Sequence, residues 1–187
     1  NSPSNPTGNL LDPGRMKEIA SLGVPVISDE IYHGLVYEGK EHSILEFADS
    51  AFVFNGFSKA YAMTGWRLGY VISPKPYVRA LQKIQQNLFI SANAFVQEAG
   101  VAALRDAGDD VIRMRGIYDE RRRYMISRLR DLGLGVSVEP TGAFYVFADA
   151  QRFCKDSYRE AFRITEEVKV GVTPGIDFGS GGEGFLR

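Results

Sequence analysis

The chain has 187 residues, 44% of them hydrophobic, with 22 basic and 23 acidic side chains for a formal charge of −1. That length supports one sizeable core, or one domain and part of another, and the balanced charge gives no electrostatic footprint for nucleic acid. The single cysteine, Cys154, excludes an intrachain disulfide, the two histidines argue against most histidine-rich metal sites, and no apolar run approaches the roughly 20 residues of a membrane helix. The first residues do not resemble a signal peptide, so a soluble, cytoplasmic protein is expected. Both ends read as cuts through a larger protein: a turn-rich Asn1-Ser2-Pro3-Ser4-Asn5-Pro6-Thr7-Gly8 opening and a strand-like Gly184-Phe185-Leu186-Arg187 close.

Asp12-Pro13 predicts a helix start, with an acidic N-cap and proline in the first turn, and Gly23 predicts its end. Ile19 and Leu22 form its apolar stripe. Val24 to Ser28 is too short for a helix and reads as a buried strand ending at Asp29 and Glu30. A helical turn over Ile44 to Ala48 and a strand over Ala51 to Phe54 follow, then a strand from Leu68 to Ile72. This order is the grammar of an α/β domain with a mainly parallel sheet. Ser73-Pro74 introduces a helix carrying Tyr77, Leu81, Ile84 and Leu88, and a second helix covers Ala94 to Asp106. A third spans Asp110 to Leu132, with Val111, Met114, Tyr118, Met125 and Leu129 on one face and Arg121, Arg122, Arg123 and Arg128 on a solvated one. Beyond Gly133, Val136 to Val138, Phe144 to Phe147 and Val170 to Val172 read as strands and Ser157 to Val168 as a helix. The expected organisation is therefore a unit over residues 1–125, including a bridging helix, and a smaller α+β unit over 126–187. The glycine-rich Gly179-Ser180-Gly181-Gly182 is a turn rather than a phosphate loop, because no helix clearly follows it.

The chemistry concentrates in Ser58-Lys59-Ala60-Tyr61-Ala62-Met63-Thr64-Gly65-Trp66-Arg67. A lysine delivered by a strand end, with a fixed guanidinium downstream, can hold a phosphorylated carbonyl cofactor: the amine bonds the carbonyl and the planar fork grips phosphate. A lone lysine in a surface loop is usually a solvated charge. The reading changes because two other elements accompany it: Asn5-Pro6-Thr7-Gly8 can present an amide, and Ser28-Asp29-Glu30-Ile31-Tyr32 places a carboxylate at a strand end with a phenol three residues on. Glu30 is left structural, since alternation turns it away from Asp29. His33 and Tyr37 are read as loop residues, Tyr61 and Trp66 as packing or subunit contacts, and Cys154 as inert.

Together with the terminal Phe185-Leu186-Arg187, these motifs resemble the class I and II aminotransferases, the fold type I pyridoxal-phosphate enzymes, across essentially the whole chain. The resemblance implies a partial large domain and most of a small domain. Lys59 would be the Schiff-base lysine and proton shuttle, Asp29 the partner of the pyridine nitrogen, Tyr32 and Asn5 the donors to the ring's phenolic oxygen, and Arg67 the phosphate arginine. Arg187 would clamp the substrate α-carboxylate. Relatives often carry a serine or threonine where Gly56 stands, so Ser58 is the remaining candidate for a phosphate hydroxyl. The implied activity is amino transfer between an L-amino acid and a 2-oxo acid in a homodimer, with no nucleic acid or membrane partner for this segment. The same scaffold also hosts carbon-sulfur lyases and the effector domains of DNA-binding regulators, and these stay open as alternatives.

Overall fold

The structure is a computed structural model that describes residues 1–187. Asp12 caps helix α1 (Pro13–Ala20), its carboxylate accepting from the Gly14 and Arg15 N–H groups, with Pro13 inside the first turn. The helix stops two residues short of the expected glycine: Ser21 is the C-cap, and Gly23 (φ +70°) lies beyond it. Met16, not Leu22, is the buried residue of α1; Leu22 is 68% exposed because it falls past the last helical turn.

Strand β1 (Val26–Asp29) pairs in parallel with β2 (Ala51–Gly56), with Asp29 opposite Phe54. Met16, Ile44, Ala51 and Val53 close a small core beneath this pair. Burial of Met16, Ile44 and Val53 contributes about 1.5–3 kcal/mol each. Ile44 opens a 3-10 turn (Ile44–Glu46) held by a capping box in which Ser43 and Glu46 exchange hydrogen bonds. Strand β3 (Gly69–Ile72) runs antiparallel to β2, completing a three-stranded sheet in the order β1-β2-β3. A parallel return needs a crossover, usually helical; the connection at residues 57–68 is a tight loop with one 3-10 turn, so the chain reverses.

Helices α2 (Lys75–Leu88), α3 (Ala94–Asp106) and α4 (Gly108–Asp131) follow. On α4 the seam differs from the apolar periodicity. Arg122 and Ile126 are buried, while Met125 is 49% exposed. The Arg122 guanidinium donates to Glu38 (2.6 Å), Asp119 (2.8 Å) and the Pro140 carbonyl (2.6 Å), and stacks over the Tyr37 ring. A residue expected in water is therefore a buried tie between α4 and two loops.

The carboxy-terminal third is built around α5 (Ser157–Val168), capped by Asp156. Its only paired strands are β4 (Ala148–Asp149) and β5 (Phe185–Leu186), joined antiparallel. The expected strands at 136–138, 144–147 and 170–172 are irregular backbone instead, with isolated bridges at Gly135–Asp149, Val36–Gly142 and Pro174–Leu186. These apolar runs are ordered by individual bridges and ring stacking, such as Phe147 on Phe185 (4.9 Å), rather than by a ladder. No helix is long and apolar enough to cross a membrane.

Candidate active site

Two neighbouring strand ends deliver the first functional groups. Asp29 closes β1 with its carboxylate accepting from the Ile31 N–H (3.1 Å), and its carbonyl accepts from the Ser2 N–H and the Asn1 amide. The Asn5-Pro6-Thr7-Gly8 turn is thereby tethered beside the end of β1. Gly8 is required there: at φ +71°, an added Cβ would sit 2.3 Å from Pro140 Cβ, and the Gly8 carbonyl accepts from both Thr141 and Gly142 N–H groups.

β2 ends at Gly56 and leads directly into Ser58 and Lys59. A Cβ on Gly56 would come within 2.9 Å of both Gly69 Cα and the Leu68 carbonyl. No hydroxyl side chain fits at that position without moving β3. Lys59 Nζ lies 6.0 Å from the Tyr32 ring centroid and 5.8 Å from that of Phe144. The loop is braced by Thr64, whose hydroxyl donates to the Ser58 carbonyl, and it packs through Phe57 on Tyr61. Arg67 takes a left-handed conformation (φ +54°), unusual for a non-glycine residue, and donates to the Thr64 carbonyl. Trp66 packs toward Phe95 across an open depression of about 840 Å³ bordered by Arg67. Asp29 borders another of about 430 Å³. Neither brings Asp29, Lys59 and Arg67 together, so residue geometry, not one enclosed cavity, defines the site.

The second wall comes from the distant carboxy-terminal third. The Tyr32 hydroxyl lies 2.6 Å from that of Tyr145, and the Tyr32 ring meets Phe144 and Tyr145 edge-on. Burial, then the hydrogen bond to Tyr145, pushes the Tyr32 phenol above its ordinary range. Only one of the paired hydroxyls donates to the other, so one hydroxyl hydrogen stays free for a further acceptor. Arg187 reaches the same place: it donates to Asn5 Oδ1 (2.6 Å) and Thr173 Oγ1 (3.0 Å) and lies 4.3 Å over the Tyr145 ring. With its carbonyl oxygen engaged, Asn5 retains its amide N–H groups for another partner.

The structure thus gathers Asn5, Tyr32, Lys59 and Arg187 around Phe144 and Tyr145. Asp29 lies at the adjoining strand end, and Ser58 and Arg67 lie on the lysine loop. Tyr145, which sequence reasoning placed only within an expected strand, is a central contact. The aromatic run Phe144-Tyr145 was the available signal, but its pairing with Tyr32 spans 113 positions. His33 turns inward, its Nδ1 3.5 Å from Glu30.

The α/β sheet thus carries a carboxylate, Asp29, at the end of β1, and an amine and a guanidinium, Lys59 and Arg67, on the loop that joins β2 to β3. The family model for aminotransferase class I and II matches residues 1–187, and the chain belongs to that family. It is 44% identical over its full length to a (5-formylfuran-3-yl)methyl phosphate transaminase of Methanocaldococcus jannaschii, and 39% identical to an aspartate aminotransferase of Pyrococcus abyssi. It covers 50% of each of these relatives, so the chain spans about half their length. An aromatic aminotransferase structure from Pyrococcus horikoshii superposes on the whole chain with a TM-score of 0.94 at 37% identity, with 52% of that chain covered.

Proposed function

We propose that the full-length protein is a pyridoxal-phosphate-dependent aminotransferase moving an amino group between an L-amino acid and a 2-oxo acid. The observation that carries this reading is the convergence of Lys59, Tyr32 and Arg187 from three separate segments, within a family match over the whole chain. The donor set suits the cofactor. Asp29 offers a carboxylate for a pyridinium nitrogen, Asn5 and the Tyr32–Tyr145 pair offer donors for a phenolic oxygen, and Arg67 with Ser58 offers donors for a phosphate.

When bound, the cofactor supplies an aldehyde that carries the amino group and a ring that withdraws electrons. Lys59 would hold the aldehyde, and its freed amine would be the base that takes the substrate Cα proton and the acid that gives that proton up again. Asp29 would face the ring nitrogen and favour its protonated form. The Tyr32 phenol, raised by burial and its hydrogen bond to Tyr145, would offer the pair's free hydroxyl hydrogen to the cofactor. Arg187, pre-oriented by Asn5 and Thr173, clamps the substrate carboxylate with its planar fork.

Residues 1–125 would form part of the cofactor-binding domain and 126–187 most of the smaller one, with α4 joining them. The assembly would be a cytoplasmic homodimer. The exposed apolar rim of Trp66, Phe89 and Phe95 around Arg67 supports a surface covered by more protein. The test is amino transfer by the full-length protein from a panel of amino acids to 2-oxo acids. Arg187→Lys should raise KM for every amino acid roughly 10–100-fold, the loss of a charge-assisted bond. Release of ammonia and an oxo acid without any acceptor would instead indicate elimination chemistry.

A further inference from the structure

Glu30 stands between two proposed cofactor residues, Asp29 and Tyr32, but is turned to the other side of the strand end. It is 3% exposed, whereas Asp29 faces solvent. A buried carboxylate is costly unless its oxygens are satisfied. Here Oε1 accepts three hydrogen bonds: from Ser28 Oγ (3.0 Å), Ser43 Oγ (3.1 Å) and the Ile44 N–H (2.9 Å). Two of these donors lie at the start of the 3-10 turn (Ile44–Glu46), on its N-cap Ser43 and its first residue Ile44. Oε2 faces His33 Nδ1 at 3.5 Å. The Glu30 backbone is fixed as well, its N–H donating to the Phe54 carbonyl of β2 and its carbonyl accepting from the His33 N–H.

We propose that Glu30 is a positioning residue for the cofactor site. Its side chain anchors the backbone between Asp29 and Tyr32 to Ser28 of β1 and to the 43–44 turn, so that the carboxylate and the phenol keep their placement relative to Lys59. This rests on the functional reading above, in which Asp29 and Tyr32 contact the cofactor. Glu30 itself touches neither cofactor nor substrate. Deleting the anchor frees the strand end to shift, and a displacement near 1 Å at a reacting group costs on the order of 10²-fold in rate.

The experiment uses the full-length protein loaded with pyridoxal phosphate and reads the visible circular dichroism per bound cofactor, which depends on how the ring is held. Glu30→Ala should lose half or more of that signal and lower kcat roughly 10–100-fold. Glu30→Gln keeps an oxygen able to accept the same three bonds and should restore both. A folded Glu30→Ala protein with lowered Tm but an unchanged signal and kcat would overturn the proposal, because Glu30 would then serve stability alone. If Glu30→Ala does not fold, Ser43→Ala removes one of the three bonds and should lower the signal in the same direction; no change would overturn the proposal. Asp29→Asn separates the two layers. If it leaves the signal unaltered, the site reading itself fails; if it alters the signal while Glu30→Ala does not, only the positioning role fails.

Discussion

The strand ends that carry Asp29 and Lys59 and the carboxy-terminal third that carries Tyr145 and Arg187 are held together by different means. The first is fixed by backbone: the β1-β2-β3 ladder, the close approach of Gly56 to Gly69, and the tether of the Ser2 N–H to the Asp29 carbonyl. The second has a single two-residue strand pair; main-chain bonds tie its 141–143 loop to Gly8, Leu35 and Tyr37, and side chains add further ties, with Arg122 joining α4 to the 140 loop and Arg187 reaching Asn5. In the proposed function, the half that would hold a cofactor is thus set by a main-chain ladder, and the half that would meet substrate by loop ties and the side-chain contacts of Tyr145 and Arg187.

That contrast can be broken at specific points. The largest effect falls on chemistry: Lys59→Ala should reduce amino transfer by the full-length protein about 10²–10⁴-fold or more, the scale of a lost acid-base group. Its unfolding midpoint in denaturant should stay near wild type, since Lys59 Nζ faces rings rather than an ion pair. Next, Arg122→Ala should cost about 2–3 kcal/mol in equilibrium unfolding. This is below the usual 3–5 for a broken buried pair, because the remaining Glu38 is already 57% exposed. Gly56→Ala attacks the backbone-held half instead. The added Cβ, within 2.9 Å of Gly69 Cα, should cost about 1–3 kcal/mol and lower cofactor affinity, whereas Arg122→Ala should leave that affinity nearly unchanged.

The smallest effect is a pH dependence at the seam between the halves. Folded Tyr32 holds its proton above the ordinary phenol value of 10.0, through burial and the Tyr145 hydrogen bond. A raised folded value contributes stability that is complete below the unfolded pKa and lost as pH rises through the folded one. Denaturant unfolding across the alkaline range should show wild type losing stability above about pH 10, and Tyr32→Phe losing less. Equal slopes for the two proteins would remove Tyr32 from the seam.

Legibility in the sequence followed the same division. Helix α5 has the bounds its caps and periodicity predict, and α1, β1, β2 and β3 lie within a few residues of their expected positions. Asn5, Tyr32, Lys59 and Arg187 do converge. These features depend on local signals: capping residues, short apolar runs and motif spacing. The strands expected at 136–138, 144–147 and 170–172 failed because a strand depends on a partner, which apolar composition does not supply. Arg122 was misassigned to a solvated face because its acceptors, Glu38 and Pro140, are remote along the chain. The Tyr145 contact is illegible in the sequence for the same reason, its partner Tyr32 lying in a different segment.

The central claim is that Lys59, presented at the end of β2, is the residue that bonds the cofactor. The most direct measurement is a visible absorbance titration of the full-length protein with pyridoxal phosphate, wild type against Lys59→Ala, repeated across pH. The wild type should develop a pH-sensitive band that is retained after gel filtration and borohydride treatment, and the variant should not. The same pH-sensitive, reducible band in Lys59→Ala would contradict the account.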